Sequence, residues 1–254
     1  MPPPANDKSA LVFGGGGMFG AYEAGVWSVL QGRVEFDLFA GASIGAVNAW
    51  AAAADCRGEA WIEEWLRPEM GSLLQWRWPR RLLGGCIQRD SFERSIQDVH
   101  TRLQPVKPCA VAITDVLRRR PRAILTPGID WHHLAASCAL PGIFPLYRVD
   151  GRLSMDGGLL GSVPLWAAVE QGATTIVAVN LLPSGGPWWL RTARQALLKL
   201  SHPGAPAPAG IRVVWIEPAQ PLGTARDALA WTRDNARRWI DLGRRDAERA
   251  IQTF

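Results

Sequence analysis

Histidine is scarce in this chain, with four in 254 residues, and the four cysteines Cys56, Cys86, Cys109 and Cys138 show no paired spacing. Neither a disulfide framework nor a Cys/His metal site finds support in such a pattern. His132 and His133 adjoin, but neighbouring helical positions face different ways, and no Cys or carboxylate spacing completes a coordination set. Packing or surface exposure is their expected role, with no metal and no cofactor. No stretch reaches the roughly 18 to 20 apolar residues of a membrane span. The start, Met1-Pro2-Pro3-Pro4, lacks the apolar core of a signal peptide and reads as a frayed tail over residues 1–8. A formal charge of +5 is modest and gives no reason to expect nucleic acid as a partner. Unpaired cysteines fit a reducing cytoplasm. With 48% apolar residues, the chain can bury a sizeable core, and its length suits one α/β domain over 1–254.

Glycine is plentiful by contrast, and its placement is informative. Gly41-Ala42-Ser43-Ile44-Gly45 follows the apolar run Phe36, Leu38, Phe39 and Ala40 and precedes the alanine-rich Ala46 to Ala54. A serine between two glycines, between a strand and a helix, reads as a nucleophile elbow. The sharp turn lifts the Ser43 hydroxyl out of the sheet and aims the helix N-terminus at an oxyanion formed there. An ordinary glycine-rich turn would look the same at this stage.

Earlier in the chain, the strand candidate Ala10 to Phe13 runs into Gly14-Gly15-Gly16-Gly17-Met18-Phe19-Gly20, and Ala21 to Leu30 has helical character. Successive glycines let backbone N–H groups converge on one point, as an oxyanion hole or anion site requires. Much later, Ser137-Cys138-Ala139-Leu140-Pro141-Gly142-Ile143-Phe144-Pro145 precedes Met155-Asp156-Gly157-Gly158, which sets a carboxylate in a tight glycine turn.

These segments, in this order, resemble the patatin-like phospholipase family: a glycine-rich loop at Gly15 to Gly20, a Gly-x-Ser-x-Gly elbow at Gly41 to Gly45, and Asp-Gly-Gly at Asp156 to Gly158. Ala112-Ile113-Thr114-Asp115 and the Pro141 to Pro145 core are similar to the family's as well. The likeness spans roughly residues 9 to 182, with 56–108 and 184–210 matching poorly. It implies a Ser-Asp dyad, with Ser43 as nucleophile, Asp156 as general base and the N–H groups of Gly15, Gly16 and Gly17 as oxyanion hole. Gly20, Gly41, Gly45, Gly157 and Gly158 support the motifs. The implied reaction is hydrolysis of acyl esters, phospholipids or lysophospholipids, through an acyl-enzyme, with lipid or acyl ester as partner. Relatives usually carry Arg or Lys where this chain has Phe19.

Further strand candidates are Asp37 to Ala40, Ala110 to Thr114, Ala123 to Leu125, Ile176 to Asn180 and Arg212 to Ile216, with helical patterns between most of them. Such alternation predicts a three-layer α/β fold, a mostly parallel sheet flanked by helices. Arg118 to Arg122 reads as a polar connection between strands. Leu229, Ala236, Ile240, Ala247 and Ile251 recur at helical spacing and predict a C-terminal amphipathic helix.

The insert over 56–108 is rich in Trp and Arg. Trp61, Trp65, Leu66, Leu73, Leu74, Trp76 and Trp78 alternate with Arg67, Arg77, Arg80 and Arg81, and Trp188, Trp189 and Leu190 lie beside Arg191. Trp and Arg suit a lipid headgroup interface, which would make this a cap with peripheral membrane contact. Core packing is an equal alternative. Two rival functions also stand at this stage. The glycine loop fits a dinucleotide fingerprint of an oxidoreductase, with Glu35 or Asp37 as the acidic ribose contact. A non-catalytic acyl-lipid binder of the same fold is the other.

Overall fold

A computed structural model describes residues 7–72, 86–87, 89–183 and 210–252. Its centre is one mixed sheet. Strands β1 (Ser9–Phe13), β2 (Leu38–Ala42), β3 (Cys109–Asp115), β4 (Arg120–Leu125), β5 (Tyr147–Val149), β6 (Arg152–Asp156), β7 (Thr175–Val179) and β8 (Arg212–Ile216) lie in the order β5-β6-β3-β2-β1-β7-β8, with β4 also on β3. β3, β2, β1, β7 and β8 are parallel, while β4 and β6 pair with β3 antiparallel. The helices are α1 (Gly20–Leu30), α2 (Ile44–Ala53), α3 (Gly58–Trp65), α4 (Arg89–Arg102), α5 (Trp131–Ser137), α6 (Leu165–Val169) and α7 (Arg233–Ile251).

The central strands are buried on both faces, so they are short continuous apolar runs, as parallel strands are. Leu11, Phe13, Phe39, Val111 and Val177 face one core with residues of α1, α2, α3, α4, α5 and α7. Ala10, Val12, Leu38, Ala40 and Ile176 face the other, covered by Ala167 and Ala168 of α6. Helices therefore cover both faces, as expected from the α/β alternation.

The antiparallel edge is where the sequence pattern fell short. β5 and β6 form a hairpin through Asp150 and Gly151, both at positive φ, and their short, half-polar strands carry little periodicity. The arginine run lies partly in the turn and partly in β4, where Arg122 pairs with Asp150 at 2.8 Å. At the C-terminus, Leu229 does not belong to α7. It sits in a 3-10 turn, Asp227–Leu229, before the helix is capped by Thr232. Among the described residues no helix is long and apolar enough to cross a membrane.

Candidate active site

β2 ends at Ala42 and α2 begins at Ile44, leaving Ser43 alone to make the turn, at φ 55° and ψ −133°. A non-glycine residue held there stores on the order of 1–3 kcal/mol of strain, which the surroundings must enforce. They do so by close packing. A Cβ on Gly41 would stand 2.1 Å from the Gly45 carbonyl oxygen, and one on Gly45 would stand 2.4 Å from that of Gly14. The positive end of α2 therefore faces the Ser43 turn.

Asp156 arrives by pairing. Ala42 is in register with Ala112 of β3, and Ile113 is in register with Asp156 at the end of β6. Two ladders thus bring together residues 113 positions apart in the chain. Asp156 is buried at 5% exposure, its Oδ1 accepts the Gly158 N–H at 2.7 Å, and its carboxyl faces the Ser43 side chain. Burial pushes this carboxyl up to about 6, while the Ser43 side chain and the Gly158 and Leu159 N–H groups favour its charged form. The close approach of β3 excludes a side chain at Gly157, where a Cβ would meet the Ala112 carbonyl oxygen at 2.0 Å.

The glycine loop lies on the other side of Ser43. Here one expectation changes: the Gly15 N–H donates to the Ser162 carbonyl at 2.8 Å and is not free for an oxyanion. Gly15 instead makes room for the elbow, since a Cβ there would touch the Ser43 Cβ at 3.1 Å. Gly16 and Gly17 remain, with N–H groups that donate to no acceptor among the described residues. Gly17 has φ 61°, and a Cβ there would meet the Ala228 carbonyl oxygen at 2.2 Å. Gly20 opens α1 and packs against Ile44 and Trp65. Phe19 is buried edge-on against Trp239 of α7 at 5.0 Å.

Several site residues carried no decisive mark in the sequence. Ser137, fully buried, accepts the Ser43 N–H at 2.9 Å and donates to the Ala112 carbonyl at 2.7 Å. Cys138 lies against Ser43, and its thiol is raised by burial and then by the Asp156 carboxyl, so it stays protonated at neutral pH. Beneath the elbow, Asn48 donates to the Gly20 carbonyl at 3.0 Å and to Glu23 at 2.6 Å. It accepts from the indole N–H groups of Trp61 at 2.8 Å and Trp65 at 3.3 Å. Burial raises the Glu23 carboxyl well above its ordinary value. Glu23 is the one acidic residue of α1 and Asn48 the one polar residue of α2, which is the signal that could have marked them.

That network decides the insert as far as it is described. Trp61 and Trp65 are core, not lipid contacts, while Arg67 pairs with Glu64 at 3.0 Å. Leu73, Leu74, Trp76, Arg77, Trp78, Arg80, Arg81, Trp188, Trp189, Leu190 and Arg191 lie outside the described residues.

The histidines are engaged elsewhere. His133 completes a capping box with Asp130 at the start of α5 and approaches Asp150 at 3.3 Å. His132 stacks on Trp131, and His100 on Trp50. His202 lies outside the described residues. The dinucleotide reading loses its acidic contact: Asp37 accepts from the Ser9 N–H at 2.8 Å and Oγ at 3.0 Å where β1 and β2 begin, at the opposite end of the sheet from the glycine loop. Glu35 pairs with Lys107 at 3.0 Å.

Comparison with known proteins gives the family and the fold. The chain is 30% identical over 185 residues to patatin-like phospholipase domain-containing protein 6 of Homo sapiens, covering 68% of this chain and 13% of that protein. It is 29% identical over 197 residues to an uncharacterized NTE family protein of Mycobacterium tuberculosis, covering 71% of this chain and 53% of that one. The chain thus matches only part of the length of either relative. VipD from Legionella pneumophila shares the fold, with a TM-score of 0.61 at 14% identity, over 98% of this chain and 67% of that one. Residues 11–169, more than half of the chain and including the glycine loop, elbow and Asp-Gly-Gly turn, match the patatin-like phospholipase family, to which this protein belongs.

Proposed function

We propose that this protein is a serine hydrolase of lipid acyl esters, working through a Ser43–Asp156 dyad and an acyl-enzyme. The observation that carries the reading is a serine at positive φ, facing a buried carboxyl raised to about 6, beside two glycine N–H groups that have no acceptor among the described residues. A carboxyl so raised is a better proton acceptor than an exposed aspartate and is still ionised at neutral pH.

In the proposed reaction Asp156 takes the Ser43 proton as Oγ attacks the ester carbonyl. The N–H groups of Gly16 and Gly17 meet the oxyanion, in a site whose donors need no reorganisation. Asp156 then returns its proton to the departing alkoxide, which leaves as the alcohol. Water enters, gives its proton to Asp156 and attacks the acyl-Ser43 ester, and the proton goes back to Ser43 as the acid departs.

Labelling the intact protein with a fluorophosphonate, followed by mass spectrometry of its peptides, tests the reading. Modification is expected at Ser43 and is expected to vanish in Ser43→Ala together with ester turnover. A label on a different serine, or full turnover by Ser43→Ala, would overturn the assignment.

A further inference from the structure

Two cavities diverge from Ser43. The first, about 550 Å³, lies between the glycine loop and the segment that leads into α7, against Phe19, Leu181, Leu182 and Leu222. The second, about 660 Å³, runs along α2, α3 and α4 over Val47, Trp61, Trp65, Phe92 and Val99. Ser43, Gly17, Cys138, Phe144 and Leu229 line both. Asp156 lines only the first.

That asymmetry orients a substrate. On the proposed mechanism, on which this inference rests, the departing alkoxide must collect its proton from Asp156, so the alcohol half lies in the first cavity. The acyl chain then extends into the second. The described lining of the first cavity is leucine, proline, alanine and glycine with a few neutral polar groups, and Asp156 is its one charged side chain. A phosphate held there would be desolvated beside a carboxylate, and both effects oppose it. The second cavity, by contrast, is lined by the charged residues Arg67, Arg94, Arg102, Glu64, Glu69 and Asp98. Most of them pair with one another there: Arg102 bonds Glu64 at 3.0 Å and Asp98 at 2.7 Å.

We propose that the alcohol half of the substrate is neutral and largely apolar, as in a glyceride or a fatty-alcohol ester, with the acyl chain housed between α2, α3 and α4. This departs from the phospholipid expected on family resemblance.

The test compares 1-oleoylglycerol with oleoyl lysophosphatidic acid, which share an acyl chain, in the same neutral detergent micelles with the intact protein. The neutral ester is expected to show a kcat/KM about tenfold or more higher, the scale on which burying an unpaired charge discriminates. Two variants assign the cavities. Ala225→Trp, in the first cavity, should depress turnover of oleoylglycerol and spare methyl oleate; Ala225→Leu should act likewise but more weakly. Val99→Phe, in the second, should shift preference among p-nitrophenyl esters from palmitate toward octanoate without altering the ranking of alcohols. Equal or faster hydrolysis of the phosphorylated ester, or exchanged effects of the two variants, overturns this inference while fluorophosphonate-labelled Ser43 leaves the hydrolase reading standing. An unlabelled Ser43 overturns both.

Discussion

Ser137 holds the backbone of Ser43: its hydroxyl accepts the strained residue's N–H at 2.9 Å and donates its own O–H to the Ala112 carbonyl on β3. The elbow is thereby tied to the strand whose antiparallel neighbour carries Asp156. Ser137→Ala leaves a partly buried N–H without its acceptor, which costs about 1–3 kcal/mol. A lower melting temperature is expected, and kcat for a soluble ester should fall by about twofold to tenfold as the released backbone lets Ser43 move away from Asp156. Unchanged kcat with a lowered melting temperature would reduce Ser137 to a stabilising residue.

The Asp156 carboxyl, raised to about 6, predicts the pH profile. As a base it must be ionised, so kcat/KM should rise with pH through about 6 and level above it. A profile still flat down to pH 4, with ~10% or less of Asp156 then ionised, would remove Asp156 from the proton-transfer step.

The same shift bears on stability. A carboxyl raised from 3.8 in the unfolded chain to about 6 in the fold contributes stability that is fully present below 3.8 and is lost as pH rises through about 6. The neutral-pH loss is on the order of 3 kcal/mol. Asp156→Asn should therefore melt higher than the parent protein at pH 8, with the gap closing between pH 6 and pH 4, while ester turnover drops severely. Thermal melts across that range check the sign. A variant that melts lower at pH 8 and equally so at pH 4 would contradict it.

At Gly17 the positive φ and the Ala228 carbonyl leave no room for a methyl group. Gly17→Ala should displace the loop and cost about 10²–10³ in kcat, comparable to losing one oxyanion donor. Gly16→Ala meets the Leu181 side chain, Cδ1 at 2.7 Å and Cβ at 3.0 Å, with no carbonyl in the way, and should cost less. Equal, small effects on kcat would argue against the loop as the oxyanion hole.

What could be read in the chain and what could not follow from the range of the interactions. The elbow at Ser43, the glycine loop and the Asp156 turn are local: each is written in consecutive residues, because backbone geometry demands glycine at fixed offsets. The apolar runs of β1, β2, β3, β7 and β8 were visible for the same reason. By contrast, Gly15 lost its role to a carbonyl at Ser162, and Ser137 gained one through β3, both across separations that no local pattern encodes. The tryptophans at 61 and 65 were ambiguous because their partner, Asn48, lies on a different helix.

Trp61→Ala provides the matching test for the insert. Removing a buried indole should cost about 3–5 kcal/mol and leave Asn48 without its strongest donor. Soluble and vesicular substrates should suffer alike, with a lowered melting temperature. Selective loss on vesicles would make Trp61 a lipid contact after all.

The bare crossing of α1 and α7 gives the far end of the chain a say in the chemistry. A Cβ on Gly25 would stand 2.2 Å from the Ile240 carbonyl oxygen, and one on Gly243 would stand 2.1 Å from that of Tyr22. Main chain rests on main chain at these two points, and beside them the buried Tyr22 hydroxyl donates to Asp246 at 3.0 Å, so α7 works as a datum edge against which α1 is gauged. Since α1 is the direct continuation of the glycine loop, the aim of the Gly16 and Gly17 N–H groups is referenced to residues 233–251, far beyond position 169 where the family match stops. A shortened chain ending there would keep every motif and lose the part that sets their alignment.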